Sequence, residues 1–243
     1  MSILILGKGW TGLHLATYLT SINIQWFATT TSGRDSTIKW SIGQATSNLP
    51  KTTHVIITFP VQITDLQSLV LTYPHKVKWM LLGSTRGYTS PGENNRHSPQ
   101  TTDRTLSETF IVQHNGLVLH LAGLWDNVRY PVNWIPRVAA SYEKLLQLDN
   151  LHLIHGSDLA RAIYRAFLMD LNGIWIVSDS RIYDWWRIIE RNGNSDLKKW
   201  VKSAMDETGV DTLPRKGIGR WLDSSDFWNT IKIAPEILFS DGM

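Results

Sequence analysis

Short apolar runs alternate with amphipathic segments along the first half of the chain. Ile3–Leu6 is apolar on both faces of a strand, and Leu13, Leu15, Ala16 and Leu19 follow it with the spacing of one helical face. Further strands are predicted at Ile24–Thr29, Val55–Phe59, Val77–Leu82 and Leu117–Ala122. Strands buried on both faces that alternate with helices are typical of a parallel sheet covered on both sides. The pattern therefore predicts a doubly wound α/β (Rossmann) fold.

The second half of the chain has a more helical pattern. The predicted elements are helices at Val132–Leu148, at Asp158–Leu171 with Ser157 as N-cap, and at Tyr183–Arg191, and strands at Leu151–Ile154 and Ile174–Val177. The pattern over residues 195–243 does not predict where helices and strands begin and end. We predict a dinucleotide-binding Rossmann domain over residues 1–125 and a small C-terminal substrate lobe over residues 126–243, packed on the same sheet as one compact unit.

Two loops of the first half are candidates for ligand binding. Gly87–Asp103 is rich in Ser, Thr, Pro, Asn and Gly, so we interpret it as a surface loop at the strand ends, and as a candidate lid. The other loop follows the first strand and reads Gly7-Lys8-Gly9-Trp10-Thr11-Gly12, a G-x-G-x-x-G motif between a strand and a helix.

The glycine motif predicts a pyrophosphate site. Gly7 permits the tight turn, Gly9 lets the backbone approach the phosphates, and Gly12 lets the helix pack close to the strand. The helix N-terminus at Trp10 and Thr11 offers free N–H groups to the anion. The alternative is a glycine-rich turn without a ligand.

The turn after the second predicted strand favours NADP over NAD. NAD-binding folds place an acidic side chain there for the ribose hydroxyls. This chain instead has hydroxyl and guanidinium groups, Thr31, Ser32 and Arg34, which suit a 2′-phosphate. The alternative is a polar turn whose Arg34 faces solvent, and the neighbouring Asp35 supports that alternative.

Composition restricts the class of protein. The chain is 42% hydrophobic and 19% charged, with no cysteine and a net charge of +3, and basic and acidic residues are interspersed. No disulfide, thiolate catalysis or cysteine-bound metal is available, and we predict no metal site. A solvated surface is favoured over a nucleic-acid or membrane surface. We expect a cytoplasmic protein whose partners are a small-molecule substrate and, at most, a second copy in a homodimer.

Several segments together resemble the atypical extended short-chain dehydrogenase/reductases of the NAD-dependent epimerase/dehydratase superfamily, most of all the YeeZ-like branch. The resemblance spans roughly residues 2–230. It depends on the glycine motif, on Thr58-Phe59-Pro60, on Leu82-Gly83-Ser84-Thr85-Arg86-Gly87-Tyr88, on Leu121-Ala122-Gly123-Leu124 with Arg129, and on Leu153–Ala160. No segment in this set would be specific alone.

The resemblance implies roles for several residues. Ser84 stands where the family has a Ser or Thr that hydrogen-bonds the reacting oxygen, and Thr58, Phe59 and Pro60 would border the cofactor. The alternative role of Ser84 is that of a strand-end cap. The two roles open to Tyr88 are those of a catalyst and of a packing residue. Arg129 and His155 would lie near the lobe boundary, and for His155 we favour a helix-capping or packing role.

The sequence departs from the family at the Tyr-x-x-x-Lys pair, whose lysine lowers the pKa of the tyrosine. None of the seven tyrosines has a lysine four positions later, and Thr102 and Leu106 stand where the pair is expected. We favour an NADP-dependent oxidoreductase for a small or medium-sized carbonyl or alcohol, with Ser84 and Tyr88 as candidate catalytic residues. The alternatives are a non-redox dinucleotide-binding regulator or scaffold, and an isomerase or cyclase that uses the same pocket.

Overall fold

The computed structural model describes residues 1–101 and 105–240. Its strands are β1 (Ser2–Leu6), β2 (Gln25–Thr30), β3 (Ile38–Lys39), β4 (His54–Ile57), β5 (Lys78–Ser84), β6 (Gly92–Asn94), β7 (Leu117–Leu121), β8 (Gly123–Trp125), β9 (Asn150–Leu151), β10 (Leu153–His155), β11 (Gly173–Val177), β12 (Tyr183–Asp184) and β13 (Arg220–Leu222). Its α-helices are α1 (Trp10–Ser21), α2 (Ile63–Thr72), α3 (Thr105–Gln113), α4 (Ile135–Val138), α5 (Tyr142–Leu146), α6 (Gly156–Leu168), α7 (Trp185–Asn192), α8 (Ser195–Thr208) and α9 (Ser225–Ile231).

Within the described residues, seven strands form one parallel sheet in the order β11-β7-β5-β4-β1-β2-β3. The central strands are buried on both faces, as in β1, where Ile3–Leu6 has no exposed surface. Helices α1, α6 and α9 cover one face, and α2 and α3 cover the other. The predicted Rossmann architecture is confirmed, and it brings the carboxyl ends of all seven strands to one edge.

The residues beyond 125 contribute to two cores. Helix α6 packs against α1, and β11 is the edge strand beside β7, so both belong to the central layers. Helices α4, α5, α7 and α8 enclose a separate cluster around Trp125, Leu145, Trp186 and Ile189. The lobe is therefore small, and it lies above the carboxyl end of β7, from which β8 continues the chain.

Several predicted boundaries differ from the structure. The helix predicted at Val132–Leu148 is broken into a 3₁₀ turn, α4 and α5, because Ser141 is extended and its hydroxyl caps α5. The helix predicted from Tyr183 begins at Trp185, since the Asp184 carboxylate accepts the Trp186 N–H at 3.0 Å and caps it. The stretch without assigned register contains α8, β13 and α9.

The loop interpreted as a candidate lid is held in place over its described part. Its strand β6 pairs in parallel with β13, 128 positions further along the chain at the first register pair, Gly92 and Arg220. Tyr88 and Asn94 have no exposed surface. The segment therefore forms part of the packed structure, because backbone pairing to a distant strand fixes it.

Candidate functional site

A cleft of about 890 Å³ opens at the carboxyl ends of β1, β4, β5 and β7. The lobe forms its opposite wall. The side chains and backbone that line it include Thr11, Thr58, Pro60, Gly83, Ser84, Arg86, Glu108, Ala122, Arg129, Asn150, His152, Trp185 and Arg220. The strand order places residues that are far apart in the sequence along one groove, the position at which open α/β sheets bind ligands.

The glycine motif forms a tight turn between β1 and α1 at one end of this cleft. Gly7 has φ +91°, and a β-carbon there would lie 2.7 Å from Phe59 Cδ1 and 2.9 Å from Thr58 Oγ1. A β-carbon at Gly12 would lie 2.8 Å from the Gly7 carbonyl oxygen. Gly7 and Gly12 are thus required by the fold itself, because any side chain would force the turn or the helix away.

Gly9 differs from the other two glycines because no heavy atom lies within 4 Å of its missing β-carbon. Gly9 is the N-cap of α1, with φ −82°, and no side chain caps the helix there. The first N–H groups of α1 have no acceptor within the helix. Packing does not require glycine at residue 9, and its backbone conformation is open to other residues.

The carboxylate of Asp126, in the lobe, contacts side chains at the start of α1. Asp126 Oδ2 accepts the Trp10 indole N–H at 2.8 Å and lies 3.0 Å from His14 Nε2. Its Oδ1 accepts the N–H groups of Val128 and Arg129. Burial alone would raise the pKa of Asp126, but these hydrogen bonds, first that from the Arg129 N–H, outweigh burial and hold the pKa below its ordinary value. The Arg129 guanidinium lies 5.5 Å from the Trp10 ring centre.

The turn after β2 carries the residues predicted to recognise a 2′-phosphate. Thr31, Ser32 and Arg34 are exposed, and none of them lines the cleft. The Arg34 side chain is 67% exposed and its Nε lies 3.8 Å from an Asp35 carboxylate oxygen. The turn is held instead by Thr30, whose hydroxyl accepts the Gly33 N–H at 2.9 Å.

The segment after β4 borders the glycine motif, and the cofactor contact that the resemblance implies for it stays a prediction. Thr58 Oγ1 donates to the Gly7 carbonyl at 2.6 Å, and Phe59 packs where a Gly7 side chain would be. Thr58 and Pro60 line the cleft. The structure thus brings these residues together with Thr11 and Ser84 along one groove.

The two candidate catalytic residues have different surroundings. Ser84 ends β5 and lines the cleft, and its hydroxyl accepts the Arg86 N–H at 3.3 Å, so it also caps the following turn. Tyr88 has no exposed surface and does not line the cleft. Its hydroxyl lies 3.0 Å from His120 Nδ1 and accepts a hydrogen bond from Gln100. Burial, with the nearby charge of Glu108, raises the pKa of Tyr88 above its ordinary value.

Sequence analysis missed a buried cluster behind β5. Glu108 Oε2 lies 3.1 Å from His120 Nε2, and the two atoms are not aligned as a hydrogen bond. The other ring nitrogen of His120, Nδ1, contacts the Tyr88 hydroxyl, and Glu108 lines the cleft. The space for this contact exists because residue 83 is glycine. The one available signal was His120 itself, a polar residue within the apolar run of β7.

The structure also locates the other residues that the sequence analysis singled out near the cleft. His155 caps α6, its Nδ1 accepting the Ser157 N–H at 3.2 Å, which confirms the capping role. Arg129 lines the cleft at the lobe boundary. Leu106 is 66% exposed and does not line the cleft, and Thr102 lies outside the described residues. Over residues 1–101 and 105–240, no group of three His, Asp or Glu side chains gathers in a metal-binding arrangement.

Comparison with known proteins identifies the fold. No protein-family model matches the sequence, and no curated protein is detectably similar to it. A short-chain dehydrogenase/reductase superfamily protein from Agrobacterium tumefaciens with bound NAD superimposes with a TM-score of 0.68 at 13% identity, over 98% of this chain and 93% of the other. The chain has the fold of the short-chain dehydrogenase/reductases.

Two further structures extend this likeness to the epimerases and dehydratases. DesIV, the dTDP-glucose 4,6-dehydratase from Streptomyces venezuelae, matches with a TM-score of 0.67 at 14% identity over 100% of this chain and 94% of its own. A protein from Methylobacillus flagellatus that is provisionally assigned as an NAD-dependent epimerase/dehydratase superimposes with a TM-score of 0.66 at 14% identity, over 94% of this chain and 91% of its own. The resemblance is confirmed at the level of the fold, and the narrower YeeZ-like branch stays a prediction.

In the part of the chain that the structure describes, no helix has the length and apolar character needed to cross a membrane.

Proposed function

We propose that this protein binds a nicotinamide dinucleotide along the cleft and uses it in the oxidoreduction of a small or medium-sized carbonyl or alcohol. The observation that carries the proposal is Gly9, an N-cap glycine with no atom within 4 Å of its missing β-carbon, at the uncapped start of α1. A pyrophosphate fits such a cradle because it accepts the free N–H groups of the first helical turn.

Gly9, Trp10, Thr11 and Gly12 would hold the pyrophosphate, while Gly7 fixes the turn. Thr58, Phe59 and Pro60 would border the cofactor beyond β4. The bound dinucleotide supplies the hydride or accepts it. The solved structure from Agrobacterium tumefaciens holds NAD in this fold, which supports a dinucleotide here as well.

For NADP over NAD, we propose recognition by Thr31, Ser32 and Arg34. These side chains are exposed at the carboxyl end of β2, next to the glycine motif, where Lys8 N–H donates to the Thr29 carbonyl at 2.8 Å. A 2′-phosphate would compete with Asp35 for the Arg34 guanidinium, which the loose 3.8 Å contact permits.

Ser84 would donate a hydrogen bond to the reacting oxygen, because it lines the cleft at the end of β5. Tyr88, which has no surface on the cleft, would position His120. Glu108 is the acidic side chain among the described residues of the cleft wall, and we assign it the exchange of the proton with the substrate oxygen. A carboxyl group would thereby take the place of the missing tyrosine–lysine pair.

The missing pair also favours a second candidate, a dinucleotide-binding protein without redox turnover, whether regulator, scaffold, isomerase or cyclase. One experiment separates the two. Purified protein is titrated with NADPH and with NADH, followed by quenching of its 12 tryptophans, and the complex is then screened for nucleotide oxidation with a panel of carbonyl compounds. Binding with turnover supports the oxidoreductase, binding alone supports the second candidate, and no binding refutes both.

A further inference from the structure

We propose that the half of the cleft farther from the glycine motif binds an anionic group of the substrate, a carboxylate or a phosphate, with Arg220 as its main ligand and Arg86 beside it. This inference rests on the proposed function, because it names the class of substrate for the same site. Both arginines line the cleft.

The arginine half is separate from the pyrophosphate cradle. In the sheet order, β5 is two strands from β1, with β4 between them. Neighbouring strands are about 4.8 Å apart, so the end of β5 lies roughly 10 Å from the end of β1. Arg220 is fastened to the turn after β5, as described below. The anionic parts of a dinucleotide, a pyrophosphate on α1 and a 2′-phosphate beyond β2, would therefore lie away from these guanidinium groups, which leaves them to an anion of another molecule.

Hydrogen bonds to two backbone carbonyl groups fix the position of the Arg220 side chain. Its Nη1 donates to the Thr85 carbonyl at 2.6 Å and to the Tyr88 carbonyl at 2.7 Å. Among the described residues its Nε and Nη2 donate to no protein acceptor. A planar guanidinium fixed on one nitrogen, with donors left over at a cleft, is suited to an oxyanion.

The backbone behind Arg220 is held as firmly. Asn150 Nδ2 donates to the carbonyl groups of Ile218 and Arg220, and His152 Nε2 lies 3.3 Å from the Arg220 carbonyl. Asn150 and His152 themselves line the cleft. The lobe and the C-terminal segment thus set the position of one guanidinium, and such preorganisation lowers the entropy cost of binding.

The charge balance of the cleft points to the same ligand. Among the described residues, the arginines that line it are Arg86, Arg129 and Arg220, and the carboxylate is that of Glu108. Arg220 is affected by the charge of Asp149 but forms no ion pair with it within the described residues, and burial lowers the pKa of Arg220. A bound anion would compensate this partly buried positive charge.

Calorimetric titration with two pairs of probes tests the proposal. Succinate and glycerol 3-phosphate are the carboxylate and phosphate probes, and succinamide and glycerol are their uncharged counterparts. Each is titrated into free protein and into protein saturated with NADP. We expect at least one anion to bind about tenfold or more tighter than its uncharged counterpart, and the anion that does so identifies the chemistry.

Three variants assign the binding to residues. Arg86→Ala and Arg220→Gln should each weaken the anion about tenfold or more, whereas Arg137→Ala, which removes an exposed arginine away from the cleft, should leave it unchanged. Arg86 is exposed and makes no side-chain hydrogen bond among the described residues, so its variant tests binding without disturbing the fold. Thermal melting shows whether Arg220→Gln is folded.

The proposal is overturned if neither anion binds tighter than its uncharged counterpart, or if either Arg86→Ala or folded Arg220→Gln binds the anion as wild type does. Equal weakening by Arg137→Ala would also overturn it, because the effect would then be one of net charge. Titration of the wild type with NADP reports the proposed function independently. If the wild type does not bind NADP but binds the anion through Arg86 and Arg220, the proposed function is refuted and the anion site is supported.

Discussion

Gly83→Ala should destabilise the protein through the buried cluster behind β5. A β-carbon at residue 83 would lie 2.5 Å from His120 Cδ2 and 2.9 Å from Glu108 Oε1. His120 is 0% exposed and does not line the cleft, so its ring has no free space into which it can move. The imidazole must therefore shift, and the 3.0 Å contact between His120 Nδ1 and the Tyr88 hydroxyl is lost.

The size of the effect follows from these contacts. Overpacking of a core costs about 1–3 kcal/mol, and a lost buried hydrogen bond adds about 1 kcal/mol. For a chain of this length each kcal/mol lowers Tm by about 2–4 °C, so the melting temperature should fall by roughly 5–15 °C. Circular dichroism on heating and urea unfolding at pH 7 measure both quantities. Gly9→Ala is the matched control, since nothing lies within 4 Å of its added carbon and only the loss of an N-cap glycine, about 1 kcal/mol or less, is expected.

A double-mutant cycle shows whether the imidazole is the cause. In a His120→Ala background the ring that Gly83→Ala would strike is gone, so the cost of Gly83→Ala should shrink by about 1 kcal/mol or more. The reasoning fails if Gly83→Ala is as harmless as Gly9→Ala, or if its cost is the same with and without His120.

Three further predictions concern recognition, catalysis and pH. Arg34→Ala should weaken NADPH about tenfold and leave NADH nearly unchanged; equal losses would mean that Arg34 does not contact the 2′-phosphate. Ser84→Ala should lower turnover about a hundredfold, whereas Tyr88→Phe should lower stability by about 1 kcal/mol and keep turnover; the reverse result would make Tyr88 the catalyst. Burial raises the pKa of Asp179 from 3.8 to about 6, so its stabilisation is complete below pH 3.8 and is lost as the pH rises to about 6. Relative to Asp179→Asn, the wild type should lose up to about 3 kcal/mol of unfolding free energy across that window in urea titrations, and a constant difference would contradict it.

Local patterns in the sequence were enough to locate the glycine motif and the segments that border it. A glycine motif between a strand and a helix needs only neighbouring residues to be recognised, and the strand that precedes Thr58 is apolar on both faces. Ser84 was placed at the cleft by resemblance, and the structure shows it there. The β2 turn was also placed correctly, but whether Arg34 meets a phosphate depends on a ligand and not on the fold.

The other half of the site depends on contacts between distant residues. Arg220 reaches the Thr85 carbonyl across 135 positions, and β6 finds β13 in a stretch to which the pattern assigned no register. The contact between Glu108 and His120 required a glycine at residue 83 on a neighbouring strand. Hydrophobic periodicity carries no information about such pairings, because they are fixed by strand order and lobe packing.

The affinity of Gly9→Val for NADPH tests the central claim most directly. The space in front of Gly9 is open in the protein, so valine should lower Tm by no more than about 4 °C, the cost of replacing an N-cap glycine. It should weaken NADPH about a hundredfold or more, because its side chain would occupy the place of the pyrophosphate. Thr17→Val, on the exposed face of the same helix, should change neither quantity. Unchanged NADPH affinity in a folded Gly9→Val protein would contradict the dinucleotide site.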